Sequence, residues 1–157
     1  MESLLCYPMR TEQAQKVFLV DDSSIVRKRL AGLISDLPKV EVIGMAELAE
    51  DAISRIGKLK PDVVVLDISI LGGSGMQVLK AIKKQNPAPR VIMLTNFAHE
   101  EYRQRCFHLG ADHFFDKSSE FEKVMEVLRD LAAVEHATCA RERAPGGGVC
   151  PPPGAAL

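Results

Sequence analysis

Six positions carry side chains whose types and spacing suit one piece of chemistry. Asp21 and Asp22 stand side by side after the apolar run 17–20. Asp67 ends "PDVVVLD" (61–67), Thr95 ends "PRVIMLT" (89–95), and Phe114 and Lys117 lie in "DHFFDK" (112–117). Three carboxylates crowded together do not all stay ionised without a compensating cation. An all-oxygen set favours Mg2+ or Mn2+ over zinc or copper. A lysine adds a fixed positive charge from another side. A metal, a lysine and a hydroxyl around one carboxylate form a trap for a phosphoryl group.

Taken singly, each signal has a plainer meaning. An acidic pair after a strand reads as a helix cap, and Asp67 as a turn cap. Thr95 reads as a strand residue, Lys117 as a solvated charge and Phe114 as core. The chemistry needs all of them in one place, so the elements that carry them decide the matter.

Residues 17–20 form a short apolar run, the pattern of a strand buried on both faces. From Ser23, apolar positions Val26, Leu30, Leu33, Ile34 and Leu37 recur at helical spacing until Pro38 stops them. "VEVIGMAE" (40–47) reads as a second strand. Leu48, Ala52, Ile53 and Ile56 mark a second helix, closed at Gly57. "PDVVVLD" is a third strand. After "LGGSG", Ser74 and Gln77 make a capping box for a third helix with Val78, Leu79 and Ile82 inside.

"PRVIMLT" is a fourth strand, and Tyr102, Cys106 and Leu109 trace a fourth helix that Gly110 closes. "DHFFDK" is a fifth strand. Ser119 and Glu122 suggest another capping box, opening a last helix through Phe121, Val124, Met125, Leu128, Leu131 and Ala132. Five strands alternating with five helices predict an α/β fold, with a doubly wound parallel sheet and right-handed crossovers. Ligands in such sheets bind beyond the carboxyl ends of the strands. Asp21, Asp22, Asp67, Thr95 and Lys117 all fall there.

The bulk numbers agree with a single domain: 157 residues, 46% hydrophobic and 26% charged. A formal net charge of -1 gives no global drive toward nucleic acid or an anionic membrane. Cys6, Cys106, Cys139 and Cys150 include no pair at zinc-ligand spacing, so reduced thiols are expected. "MESLLCYPMR" lacks a secretory leader, and no run approaches the roughly 20 apolar residues of a membrane helix. A cytoplasmic location is expected. Residues 1–15 read as a flexible lead-in, 16–134 as the folded domain, and 135–157 as a disordered Pro/Gly-rich tail.

"VFLVDDSSIVRKRL", "PDVVVLDISILGGSGMQVL", "VIMLTN" and "GADHFFDKSSEF" together resemble the receiver domain of two-component response regulators, over residues 16 to 134. The resemblance implies a flavodoxin-like sheet of order 2-1-3-4-5 and a self-phosphorylating switch rather than a conventional enzyme. Asp67 is then the phosphoacceptor. Asp21, Asp22, Asp67 and the main-chain carbonyl of Ser69 would hold Mg2+, with Mn2+ as a substitute. Thr95 and Lys117 would bind the acyl phosphate, and Thr95 and Phe114 would form the switch. The partners implied are a sensor histidine kinase or phosphotransfer protein and a downstream protein. A homodimer through the fourth helix, fifth strand and fifth helix is also open.

Three positions depart from the family pattern. Leu71 stands where a proline is usual, so a looser loop is expected. Asn96 replaces a small residue after Thr95, which suggests a role in phosphate lifetime. Ser118 follows Lys117 in place of a proline, which favours a trans bond there. Two rivals stay open: a degenerate receiver that only binds, and an aspartate-based phosphohydrolase. The second needs an acid two residues after Asp67, where the chain has Ser69. "DDSS" lacks the glycines of a dinucleotide site, and "LGGSG" lacks the Gly-Lys-Ser/Thr of a phosphate loop. Residues 135–157 leave no room for a helix-turn-helix module, so a stand-alone receiver is expected.

Overall fold

Alternation of side chains along five short strands builds two separate apolar layers. The structure is a computed structural model, and it describes residues 14–142. Strand β1 is Gln15–Val20, followed by α1 (Ser24–Ser35), β2 (Val40–Ala46), α2 (Ala49–Leu59) and β3 (Val63–Leu66). Then come α3 (Gly75–Ile82), β4 (Arg90–Thr95), α4 (Glu100–His108), β5 (His113–Asp116) and α5 (Lys123–Glu142). All strand pairs in the sheet are parallel, and the order is β2-β1-β3-β4-β5. This is the flavodoxin-like arrangement expected.

Successive residues of a strand point to opposite faces. Phe18, Val20, Val64, Leu66, Val91, Met93 and Phe114 face one way, against α2, α3 and α4. Val17, Leu19, Val63, Val65, Ile92 and Leu94 face the other, against Leu30 and Ile34 of α1 and Val124 and Leu128 of α5. Each fully buried aliphatic of this size contributes about 1.5–3 kcal/mol relative to exposure. That burial on both faces makes the central strands a rigid platform for whatever stands at their ends.

Several boundaries differ from expectation. Helix α2 runs through Gly57 to Leu59 and ends at Lys60, whose φ of 51° is left-handed. Tertiary packing of Ile56 outweighs the helix-breaking tendency of one glycine. The expected Ser119–Glu122 capping box does not open α5, which starts at Lys123. The Ser119 and Glu120 N–H groups donate instead to the Asp116 carbonyl. The helix also continues past Val134 to Glu142, since extending an existing helix has no nucleation cost. The remaining calls on the lead-in and tail, residues 1–13 and 143–157, lie outside the described residues. Among the described residues, no helix is long and apolar enough to cross a membrane.

Candidate functional site

The sheet ladder continues one step past the strands and seats the acids. Asp21 N–H donates to the Ala46 carbonyl (3.1 Å), and Asp67 N–H to the Val20 carbonyl (3.0 Å). Lys117 N–H donates to the Thr95 carbonyl (3.1 Å). Asp21, Asp67 and Lys117 are therefore each fixed to a neighbouring strand end. Asp21 and Asp67 are buried at 3% and 4% exposure, whereas Asp22 is exposed. Carboxylate oxygens of all three lie within 4.8 Å of one another.

The Lys117 ammonium bridges two of them. Its Nζ is 2.6 Å from Asp21 Oδ2 and 2.7 Å from Asp67 Oδ2. The other oxygens take backbone donors: Ser23 N–H to Asp21 Oδ1 (2.8 Å) and Ser69 N–H to Asp67 Oδ1 (3.3 Å). Burial pushes the Asp21 carboxyl above its usual range, against the opposing pull of Lys117 and the Ser23 N–H. For Lys117, burial favours the neutral amine, but the two carboxylates outweigh it and hold the ammonium above its usual value. Three carboxylates against one ammonium leave a local excess of two negative charges. That excess and an all-oxygen donor set fit one hard divalent cation.

Glycine is required at one point in this frame. A Cβ on Gly75 would stand 1.9 Å from the Asp67 carbonyl oxygen and 2.8 Å from Ile68 Cα. The Gly75 N–H donates to the Ile68 carbonyl (2.7 Å), so α3 begins directly against the backbone of the acceptor strand. Ser74 caps this helix in a capping box with Gln77, as predicted.

The loop after Asp67 is braced rather than loosened. Residues Ser69–Ile70 and Gly73–Ser74 pair antiparallel. Leu71 N–H donates to the Glu47 carbonyl (3.0 Å), and Ala49 N–H donates to the Leu71 carbonyl (2.9 Å). Backbone bonds to the segment after β2 thus supply what a proline's fixed φ would otherwise provide. The Lys117–Ser118 bond is trans, the one cis bond among the described residues being Asn86–Pro87.

The other predicted site residues are placed less directly. Thr95 is fully buried, and its Oγ1 accepts from Phe97 N–H (3.1 Å) across exposed Asn96. Phe114 is 2% exposed and already faces the core. Phe114 pairs in register with Met93, and Thr95 with Asp116. Thr95 and Phe114 therefore share one face of the sheet, one level apart. The guanidinium of Arg103 lies 5.1 Å from the centre of the Phe114 ring, and the Phe107 ring lies 6.5 Å away.

Arg27 was not singled out from sequence. It donates to the Asp21 carbonyl and pairs with Glu47 Oε2 at 3.5 Å. Its signal was faint: it lies four residues after the Ser23 cap, within the charged run "RKR". The pair ties α1 to the segment that braces Leu71.

Sheet order, crossover pattern and the lysine-bridged acidic cluster together define a receiver. The chain belongs to the response regulator receiver domain family, whose model matches residues 17–129. It is 27% identical over 118 residues to the response regulator GacA of Pseudomonas aeruginosa, covering 75% of this chain and 55% of that protein. Its structure resembles the response regulator domain of Thermotoga maritima CheB (TM-score 0.70, 27% identity, 77% of this chain and 98% of that one). It also resembles the structure of a CheX-CheY-BeF3-Mg+2 complex from Borrelia burgdorferi (TM-score 0.66, 26% identity, 76% and 92% covered). The chain spans about half the length of the first curated relatives it matches, 55% and 46%. A receiver of this family is a phosphorylation switch rather than a conventional enzyme, and receivers interact with histidine kinases.

Proposed function

We propose that Asp67 accepts a phosphoryl group from the phosphohistidine of a sensor kinase or phosphotransfer protein. The observation that carries this is the Lys117 ammonium, held 2.7 Å from Asp67 and 2.6 Å from Asp21 beside a third carboxylate. An oxygen of Asp67 forms the new bond to phosphorus as the bond to the imidazole nitrogen breaks. The imidazole leaves with its ring nitrogen available for a proton. Lys117 follows the charge that moves onto the phosphoryl oxygens, at a distance already set by its two carboxylates.

Asp21, Asp22, Asp67 and the Ser69 carbonyl would hold Mg2+, with Mn2+ as a substitute. When bound, the metal supplies electrostatic stabilisation of the charge on the transferring oxygens. The magnesium in the Borrelia burgdorferi complex named above supports this assignment. Thr95 would then turn its hydroxyl from the Phe97 N–H toward the phosphoryl oxygens. The acyl phosphate carries about -1.5 to -2 by analogy with other phosphoryl groups. It shifts a population between two states of the α4, β5 and α5 face. Phe114 faces inward here, the position this switch would favour. The downstream partner is a protein, met in the cytoplasm.

Intact mass after incubation with acetyl phosphate and Mg2+ tests the proposal. The chain is expected to gain one phosphoryl mass, and Asp67→Asn none. A gain that persists in Asp67→Asn would move the acceptor elsewhere. No gain from acetyl phosphate or from a phosphohistidine donor would favour a receiver that only binds.

A further inference from the structure

Residues 117–122 lie between β5 and α5 and belong to neither. Lys117 is the first of them, yet its ammonium must hold a position between two buried carboxylates. A dense set of hydrogen bonds closes the backbone on either side of it. Asp116 Oδ1 accepts from both the Ser118 N–H (2.8 Å) and the Ser118 hydroxyl (2.6 Å). Asp116 N–H donates to Glu120 Oε2 (3.0 Å), and Glu120 N–H donates back to the Asp116 carbonyl (2.7 Å). Glu120 Oε1 accepts from Lys123 Nζ (2.8 Å), in the first residue of α5. The Lys117 N–H is itself held by the Thr95 carbonyl.

Asp116 precedes Lys117 in the chain, and Glu120 follows it by three residues. Asp116 and Glu120 point their oxygens at backbone donors and at Lys123, while the Lys117 ammonium is engaged by Asp21 and Asp67. Their oxygens fix a turn of the main chain rather than balance the lysine. A long lysine side chain loses much rotamer freedom when held at one point, and a loosely held turn would let it leave.

We propose that Asp116 and Glu120 are positioning residues for Lys117. They clamp the turn 116–120, hold the ammonium between Asp21 and Asp67, and thereby set how fast Asp67 takes a phosphoryl group. Only that last consequence rests on Asp67 being the acceptor.

Two measurements on the full chain separate these points. The first is site-resolved labelling of lysines with acetic anhydride, read by mass spectrometry. Asp116→Ala and Glu120→Ala are expected to raise labelling of Lys117 several-fold. Lys28, which is exposed, and half-buried Lys83, which pairs with Asp112 elsewhere in the fold, should stay unchanged. Asp116→Asn and Glu120→Gln each keep an acceptor oxygen and are expected to stay near wild type. Ser118→Ala removes one bond only, and serves in place of Asp116→Ala if that variant does not fold. The second is the rate of phosphorylation at saturating acetyl phosphate, expected to fall several-fold in the alanine variants with KM little changed.

Lys117 labelling unchanged in both alanine variants would overturn the clamp. So would labelling that rises equally at Lys83. If labelling follows the expected pattern while wild type takes no phosphate, the clamp stands and Asp67 is not the acceptor. If wild type is phosphorylated and the alanine variants match its rate, the clamp does not govern transfer.

Discussion

The Lys117 ammonium lies 2.7 Å from Asp67 Oδ2, with the two side chains only 9% and 5% exposed. Lys117 does not simply sit near the acid; it offsets charge that burial would otherwise make untenable. Removing one partner of a buried pair costs about 3–5 kcal/mol, because the other charge is left uncompensated. Lys117→Ala is therefore expected to lower stability markedly in the absence of metal. Mg2+ should recover part of the loss by binding the folded state. Phosphorylation should slow on the order of tenfold or more, since one electrostatic contact to the transferring group is gone. Urea denaturation with and without Mg2+ checks the first claim. A variant as stable as wild type without metal would show that Asp21 and Asp67 are held some other way.

Gly75 is expected to tolerate no side chain. Its missing Cβ leaves room for the Asp67 carbonyl, which an alanine would meet at 1.9 Å. Backbone, not a flexible side chain, occupies that space, so either the start of α3 or the acceptor strand must move. Gly75→Ala should cost about 1–3 kcal/mol, as overpacked sites do, and should slow phosphorylation as well. Gly32 has nothing within 4 Å of such a Cβ. Gly32→Ala is the control, neutral or slightly stabilising within α1. Equal melting temperatures for the two variants would refute the close-contact argument.

What was legible in the sequence follows from which forces dominate where. The strands were plain because burial on both faces leaves only apolar residues in 63–66 and 91–94. Each acid after such a run could have been a cap; the positions became plain together, because acids, a hydroxyl and a lysine stand at the ends of four strands. Helix ends were less legible. Gly57 stopped nothing, since the packing of Ile56 carried α2 onward. Ser119 and Glu122 matched a capping pattern, but Asp116 and Glu120 had already taken the local donors. The bracing of Leu71 by Glu47 and Ala49 joins segments more than twenty residues apart in the chain, so no local signal announces it.

The Cys106 thiol is fully buried, and burial pushes its pKa from 9.0 up to about 11. Only thiolates react readily with alkylating agents. Cys106 is therefore expected to resist iodoacetamide in the native protein at pH 8 and to react once urea unfolds it. The linkage has a definite sign. Because the folded thiol binds its proton more tightly, its contribution to stability is present below pH 9. It is lost as pH rises through about 11. Cys106→Ala should show a shallower loss of stability over that window, on top of a constant cavity cost. Peptide mapping distinguishes this thiol from Cys6, Cys139 and Cys150. Rapid native labelling of Cys106 would mean that α4 opens often enough to expose it.

The last prediction concerns how the switch is set and how long it lasts. Thr95 Oγ1 accepts the Phe97 N–H, so the hydroxyl has a partner to leave when it turns toward a phosphoryl group. Asn96 sits inside that small turn and is exposed at the rim. Under the proposed acceptor role of Asp67, a side chain there would border the path of a water attacking the phosphate. If Asn96 mainly blocks, Asn96→Ala should speed loss of phosphate several-fold without preventing phosphorylation. A slower loss would mean that Asn96 orients the water, and a rate within error of wild type would end its role in lifetime. Thr95→Ala should still accept phosphate on Asp67 but transmit little of it. Phe114 shares the sheet face of Thr95, one level away, beneath Arg103 and Phe107 of α4. Without the hydroxyl, the proposed pull of the phosphoryl group on the end of β4 would be lost. Amide exchange over residues 96 to 117, with and without phosphate, measures the transmission. A full phosphate-dependent change in Thr95→Ala would show that the signal reaches α4 by another route.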